Sequence, residues 1–188
     1  MQMKRWRYFG QVVLLTGVLG MIGLVLNPIS GASSYSTAST GYASAAAAQT
    51  ASANGYQTGT PRIPYTEEDL DLLARLVSAE AKGEPYLGQV AAAAVTINRV
   101  LDPRFPDTLA EVIYQVEGGR YQYEPVMNGS IYEPATASAR QAALEALHGH
   151  DPTNGALGFY NPDKVRPGNW VRQWPIVARI GNHVFFTY

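Results

Sequence analysis

Residues 66–101 read TEEDLDLLARLVSAEAKGEPYLGQVAAAAVTINRVL and contain the two segments with the clearest helical pattern in the chain. Thr66 is followed by three acidic residues, which is typical of a helix N-cap because acids favour the positive end of the helix dipole. Apolar side chains then recur at helical spacing and predict a helix from about Glu67 to Ala81. Gly83 and Pro85 are expected to end it.

The second segment predicts a buried helix over residues 86–101. Its stretch from Val90 to Val95 is apolar on every side, as expected of a helix surrounded by other elements. We therefore expect the first helix to pack against it.

Further helical signals follow. Residues 108–111, TLAE, have the spacing of a capping box and predict a short helix toward Val116 that Gly118-Gly119 ends. The Tyr- and Gly-rich region 120–131 indicates strand and loop, and residues 136–148 predict another helix.

The C-terminal tail predicts a β-hairpin. Two β-rich segments, residues 176–180 and 183–186, flank a two-residue Gly-Asn turn. Helices first and a small antiparallel sheet later indicate a single α+β domain over residues 61–188.

Composition narrows the classes of function. The chain has 188 residues, of which 46% are hydrophobic and 15% charged, and its 14 Lys and Arg against 15 Asp and Glu give a net charge of −1. This balance argues against binding to nucleic acid, whereas a neutral glycan remains a suitable partner. The absence of cysteine excludes disulfides, thiolate metal sites and a cysteine nucleophile.

The N-terminus has the pattern of an export signal. Lys4, Arg5 and Arg7 precede an apolar run from Val12 to Leu26, which is shorter than the roughly 20 residues that a membrane span prefers. Residues 1–32 are therefore predicted to be a signal peptide or, if uncut, a membrane anchor. Residues 33–60, rich in Ala, Ser, Thr and Gly and without charges, predict a flexible linker.

Glu80 is the residue that most strongly suggests chemistry. Its helical angle lies close to that of Leu73, Leu76 and Val77, so its carboxyl group is expected beside the apolar stripe. Burial would raise its pKa, and a carboxylic acid that stays protonated near neutral pH can donate a proton to a glycosidic oxygen. The alternative is that Glu80 turns to solvent or pairs with a nearby cation, for which Arg75 and Lys82 are the candidates.

Other polar groups are weaker candidates. Glu84 is a second carboxylate or a surface acid of the loop. His148, His150 and Asp151 superficially suggest metal ligands, but no companion motif supports a metal, and none is predicted. Ser130 lacks the setting of a hydrolase nucleophile. Several aromatic residues in predicted loops could stack on sugar rings or fill the core; they are Tyr114, Tyr121, Tyr123, Tyr132, Tyr160, Trp170 and Trp174.

Five stretches in the same order resemble the spore-cortex-lytic, SleB-type cell-wall hydrolases. They are AEAKGEPYLGQVA (79–91), INRV (97–100), YQYEPV (121–126), GALGFYNP (155–162) and IGNHVF (180–185). The resemblance spans roughly residues 65 to 188. This chain departs from the family at Gly158, where relatives tend to carry an aromatic residue, and in having a spacer where some members have a peptidoglycan-binding repeat.

The resemblance implies a lysozyme-like α+β domain that cleaves peptidoglycan between N-acetylmuramic acid and N-acetylglucosamine, often as a lytic transglycosylase. Glu80 matches the family's catalytic acid. If water attacks instead, Glu84 or Glu124 becomes the candidate base. The alternative from another class is a noncatalytic peptidoglycan-binding module.

The matching motifs also suggest which residues contact substrate. The turn before Pro162 could present Tyr160 and Asn161 beside the end of a strand. The expected substrate-binding residues are Gln122, Tyr123, Tyr160, Asn161 and His183. We expect an exported protein that acts in the cell wall or spore envelope on peptidoglycan strands, with no cofactor.

Overall fold

A computed structural model of the protein describes residues 59–188. The predicted signal or anchor over residues 1–32 and almost all of the predicted linker over 33–60 lie outside the described residues. Within residues 59–188, no helix combines the length and the apolar character needed to cross a membrane.

The first two helices form where the sequence predicts them. Helix α1 spans Glu67–Glu80. Its N-cap Thr66 accepts a hydrogen bond from the Asp69 backbone at 3.1 Å, and the Asp69 carboxylate accepts one from the Thr66 backbone at 3.0 Å. Helix α2 spans Tyr86–Leu101.

Helix α2 is the centre of the domain. Its alanines have almost no exposed surface, and their small side chains let neighbouring helices approach closely. It packs against α1, against the short helix α3 at Leu109–Ile113, and against a later helix over Ala137–Leu147.

The region after α3 differs from the prediction. Helix α3 ends at Ile113 and does not continue to Val116. Instead, strand β1 (Val116–Glu117) pairs antiparallel with β2 (Arg120–Tyr121). The intervening Gly118 and Gly119 both have positive φ, 59° and 79°, which suits a tight hairpin turn between two strands. The two glycines thus form the turn of a hairpin and do not end a helix.

A short helix, α4, occupies Glu124–Asn128, where the sequence suggested only strand and loop. Pro125 lies in its first turn, a position that tolerates proline because the backbone N–H there has no partner within the helix. Tyr123 is the residue that precedes the helix at its N-cap. A 3₁₀ turn at Ser130–Tyr132 follows, and then α5 at Ala137–Leu147.

The C-terminal hairpin is confirmed and belongs to a three-stranded sheet. Strands β4 (Ile176–Ile180) and β5 (His183–Phe186) pair antiparallel. Strand β5 also pairs antiparallel with β3 (Gly158–Tyr160); the sequence suggested the end of a strand before Pro162 but neither its bounds nor its pairing. All three residues of β3 are buried, so it shows no alternation of polar and apolar positions.

The ring of Phe186 lies directly over Gly158. A β-carbon at residue 158 would collide with that ring. The aromatic side chain that covers this part of the sheet is therefore supplied by β5, and a side chain at residue 158 would require Phe186 to move. The helices come first and the antiparallel strands later, which confirms the α+β class.

Candidate active site

Glu80 is the last residue of α1 and lies inside the protein. It is 4% exposed, and neither carboxyl oxygen completes a hydrogen bond with any of residues 59–188. The Arg75 guanidinium instead contacts Asp71 at 2.9 Å and the backbone carbonyl of Ile131 at 2.8 Å, and Lys82 is exposed. Glu80 thus neither turns to solvent nor pairs with the two cations considered from the sequence.

The end of α1 explains how a carboxyl group comes to be held there. Ala81 closes the helix, since its N–H donates to the Val77 carbonyl at 2.9 Å. Gly83, with φ of 84°, then turns the chain toward α2. The carbonyl end of a helix carries partial negative charge, which further disfavours an ionised carboxylate at this position.

The surroundings of Glu80 favour its protonated form. Burial is the largest cause, and the negative charge of Glu124 adds to it; together they raise the pKa of Glu80 from 4.5 to about 8. The positive charge of Arg99 opposes them. The Glu124 backbone N–H approaches closely enough to favour the ionised form, but it does not complete a hydrogen bond. Glu80 is therefore a carboxylic acid at neutral pH, and it can donate a proton.

Arg99 is a buried cation in the last turn of α2. It is 1% exposed, and its Nε donates to the Leu157 carbonyl at 2.7 Å. The guanidinium carbon lies 5.2 Å from the centre of the Tyr123 ring and 5.3 Å from that of Phe105. Its Nη1 is buried and forms no hydrogen bond within the described part of the chain.

Glu84 has a different environment from Glu80. Its side chain is 6% exposed and accepts hydrogen bonds from the backbone and side chain of Asn182, at 2.9 Å and 3.1 Å. His183 Nδ1 lies 3.9 Å from the same carboxylate. Burial, the largest cause, lowers the pKa of His183 in spite of Glu84. Glu84 thus joins the loop between α1 and α2 to the β4–β5 hairpin.

Four of the five predicted substrate-binding residues are buried, and only Asn161 is half-buried. Tyr123 belongs to the core, since it is 1% exposed and its hydroxyl lies 3.0 Å from Thr96 Oγ1. The rings of Tyr160 and His183 are also buried, on β3 and β5. The side chains of Gln122 and Tyr160 form no hydrogen bond with another described residue.

Asn161 lies in the turn after β3, as the sequence suggests. Its side-chain oxygen accepts a hydrogen bond from the Asp163 backbone at 2.9 Å, and its carbonyl accepts one from the Lys164 backbone at 3.1 Å. Its oxygens therefore shape the turn, whereas its amide nitrogen donates no hydrogen bond to another described residue.

The polar groups after α5 hold the domain together. His148 lies 2.8 Å from the Gly59 carbonyl and 3.2 Å from the Tyr65 hydroxyl, while His150 contacts the buried carboxylate of Glu145. Asp151 accepts hydrogen bonds from loop residues and from Asn98 of α2. These contacts attach the segment before α1 and the loop after α5 to the helices.

Arg99 is the functional candidate that the sequence analysis did not single out. The available signal was its position in a long apolar helix, where a charged residue is unusual. The sequence pattern does not reveal which carboxyl group the Arg99 cation acts on, because Glu80, Tyr123 and Arg99 come from separate elements.

Comparison with known proteins gives a consistent picture. A sequence model of the cell wall hydrolase family matches residues 83–186, so Glu80 lies just before the matched region. A spore cortex-lytic enzyme of Halalkalibacterium halodurans is 43% identical over 121 residues, which are 64% of this chain and 35% of that enzyme. The chain thus spans about a third of the length of this relative.

Two solved structures have the same fold. The catalytic domain of the Bacillus cereus SleB protein is 39% identical, with a TM-score of 0.60 and coverage of 71% of this chain and 99% of that one. The catalytic domain of the germination-specific lytic transglycosylase SleB from Bacillus anthracis is 38% identical, also with a TM-score of 0.60, and the match covers 68% of this chain and all of that domain, 100%.

Proposed function

The chain belongs to the cell wall hydrolase family, and from this premise we propose that residues 61–188 form a peptidoglycan-cleaving domain with Glu80 as its catalytic acid and base. The observation that carries the proposal is the buried carboxyl group at the end of α1. Within residues 59–188, neither of its oxygens completes a hydrogen bond, and its pKa is about 8. A glycosidase needs such a proton donor at neutral pH.

The proposed reaction is lytic transglycosylation of the bond between N-acetylmuramic acid and N-acetylglucosamine. Glu80 gives its proton to the bridging oxygen while the C1–O bond breaks, and the bond's electron pair leaves with that oxygen. The muramic 6-hydroxyl oxygen then bonds to C1, and its proton passes to the Glu80 carboxylate. The products are a 1,6-anhydromuramic end and a free N-acetylglucosamine hydroxyl, and Glu80 is protonated again.

One carboxyl group suffices for this cycle, whereas hydrolysis normally uses two. Glu84, considered from the sequence as a base, already accepts two hydrogen bonds from Asn182. An attacking hydroxyl within the substrate also has a high effective concentration, which lowers the demand for a second catalytic group. The Bacillus anthracis relative is itself described as a lytic transglycosylase. If water attacks instead, Glu124 is the better candidate base because its charge acts on Glu80.

We further propose that Gln122, Tyr160, Asn161 and His183 contact the glycan through their polar ends. Because the ring of Tyr160 is buried, its hydroxyl is the group proposed to contact a sugar. Gln122 is also buried, and its side-chain amide is the group proposed to contact the glycan. Tyr123, whose hydroxyl and ring are occupied by Thr96 and Arg99, would act on substrate only through the groups that it positions.

The proposed setting is outside the cytoplasm. Residues 1–32 would direct export or anchor the protein, and residues 33–60 would connect that segment to the catalytic domain. The substrate would be the peptidoglycan of the cell wall or of the spore cortex, in keeping with relatives described as spore cortex-lytic enzymes.

Digestion of purified peptidoglycan tests the proposal. The wild type and the Glu80→Gln and Glu133→Gln variants are incubated with it, and the released fragments are analysed by mass spectrometry before and after borohydride treatment. Glu133 is an exposed acid and serves as the matched control. We expect borohydride-resistant anhydro ends from the wild type and the control, and no release by Glu80→Gln, because an amide cannot supply the proton.

The other outcomes are equally clear. Release by a folded Glu80→Gln protein would remove Glu80 from the chemistry. Wholly reducible ends would establish hydrolysis and require a base. A wild type that binds peptidoglycan without releasing fragments would establish the noncatalytic binding module.

A further inference from the structure

We propose that Arg99 is a positioning residue for Glu80, a buried counter-charge that stabilises the carboxylate formed when Glu80 has given up its proton. The inference rests on the proposed function, since it assigns a partner to the catalytic carboxyl group. It goes further in naming the group that stabilises the Glu80 carboxylate between the two proton transfers of the cycle.

The burial of Arg99 is the first observation. A guanidinium that is 1% exposed loses its hydration, and such a charge is normally compensated by a carboxylate. Arg99 has no ion pair with any carboxylate in residues 59–188, and its Nη1 has no hydrogen-bonding partner. Its observed contacts are the Leu157 carbonyl and two aromatic faces.

The carboxyl group of Glu80, like the guanidinium of Arg99, has buried polar atoms that complete no hydrogen bond within residues 59–188. Both of its oxygens are buried, and neither completes a hydrogen bond with another described residue. A neutral carboxylic acid tolerates this arrangement at the start of the reaction, but the ionised carboxylate would not without a nearby positive charge. The charge of Arg99 acts on Glu80 and favours its ionised form.

Glu80 and Arg99 come from separate helices, and other charged groups also act on them. The charges of Arg99 of α2 and Glu124 of α4 both act on Glu80, in opposite directions. Burial raises the pKa of Glu117 of β1 and of the Tyr188 hydroxyl, and the positive charge of Arg99 opposes both increases. Glu117 is therefore the rival partner that an experiment must distinguish from Glu80.

Aromatic packing keeps the cation in place without neutralising it. Phe105 and Tyr123 each present a ring to the guanidinium, and Tyr123 immediately precedes Glu124 at the start of α4. A carboxylate at this position would pair with Arg99 permanently, whereas aromatic faces hold it and leave its charge available. The positive charge of Arg99 therefore remains available to Glu80 in both protonation states of the carboxyl group.

The test compares Arg99→Met with Arg99→Lys. Both variants lose the planar guanidinium, and their side chains have similar length, so the main difference between them is the positive charge. The carboxyl carbons of glutamate are labelled with ¹³C and titrated by NMR from acid to alkaline pH, with Glu80→Gln and Glu117→Gln proteins used to assign the two signals. The alkaline limb of kcat/KM is measured in parallel on peptidoglycan.

We expect Glu80 to titrate at higher pH in Arg99→Met than in Arg99→Lys, and the alkaline limb of activity to move in the same direction. Turnover at the plateau should fall by roughly tenfold in Arg99→Met and by less in Arg99→Lys, because a less stable carboxylate makes Glu80 a weaker proton donor in the first step. A purely structural role would lower activity in both variants without moving the titration.

Identical Glu80 titrations in the two variants, or a change confined to Glu117, would overturn the inference. If Arg99→Met does not fold, Arg99→Gln replaces it, since its amide is neutral and can still donate to the Leu157 carbonyl. The NMR titration does not require cleavage. Failure of Glu80 as the catalytic acid and failure of its coupling to Arg99 are therefore separate results.

Discussion

Asn182 donates two hydrogen bonds to the carboxylate of Glu84, one from its backbone at 2.9 Å and one from its side-chain amide at 3.1 Å. The contact joins the loop between the first two helices to the turn of the C-terminal hairpin. Gly181 is required beside it, because a β-carbon at that residue would collide with the Glu84 carboxylate. The Glu84 carboxylate therefore has a structural role, because it connects two parts of the domain.

Replacing Glu84 should therefore affect stability more than catalysis. Glu84→Ala removes the acceptor of both hydrogen bonds, so we expect the free energy of unfolding to fall by about 1–3 kcal/mol. Glu84→Gln retains one acceptor oxygen and should lose less. Denaturant unfolding and cleavage by the folded protein measure the two effects. Abolished cleavage in a stable Glu84→Gln protein would return Glu84 to the role of a catalytic base.

Glu80 should make the stability of the wild type decrease as pH rises. Its pKa is about 8 in the folded protein, against an ordinary value of 4.5. The stability associated with the protonated form is complete below pH 4.5 and is lost as pH rises through about 8. Between pH 5 and 8, Glu80→Gln should gain roughly 3–4 kcal/mol in free energy of unfolding relative to the wild type.

Chemical denaturation of both proteins across this pH range measures that difference. The Glu133→Gln variant is the control, since Glu133 is exposed. A constant difference between Glu80→Gln and the wild type would mean that Glu80 ionises normally in the folded protein.

Glu124→Gln should move the alkaline limb of activity to lower pH. The negative charge of Glu124 raises the pKa of Glu80, so its removal allows Glu80 to lose its proton earlier. This is the opposite direction from that expected for Arg99→Met. The pH dependence of kcat/KM provides the measurement, and the products should keep borohydride-resistant ends. Complete loss of cleavage near neutral pH would instead support Glu124 as the base for an attacking water.

Two substitutions of Tyr160 separate packing from recognition. The ring is buried, 6.1 Å from that of Phe186 and with the Arg172 guanidinium carbon 5.8 Å away. Tyr160→Ala should cost about 3–5 kcal/mol of stability. Tyr160→Phe keeps the ring and should leave the melting temperature nearly unchanged, while the loss of a proposed sugar contact raises KM several-fold. An unchanged KM for Tyr160→Phe would confine this residue to the core.

Local sequence patterns were sufficient for the long helices and for the C-terminal hairpin. The capping residues of α1, the apolar run of α2 and the Gly-Asn turn each act within a few neighbouring positions. The short elements were not accessible in this way. Gly118-Gly119 has the same local signature at a helix end and in a hairpin turn, and the three buried residues of β3 have no periodicity.

The same division applies to the site. Helical periodicity, which depends on residues close in the chain, was enough to predict that Glu80 lies beside the apolar stripe, and the family resemblance singled it out as the acid. The roles of Glu84 and Arg99 depend on contacts with Asn182, Tyr123 and Phe105, which come from other elements. A charged side chain acquires its pKa and its partner only when folding excludes water and brings distant segments together. The tertiary structure therefore decided that Glu80 stays protonated, that Glu84 bonds to the C-terminal hairpin, and that the charge of Arg99 acts on Glu80.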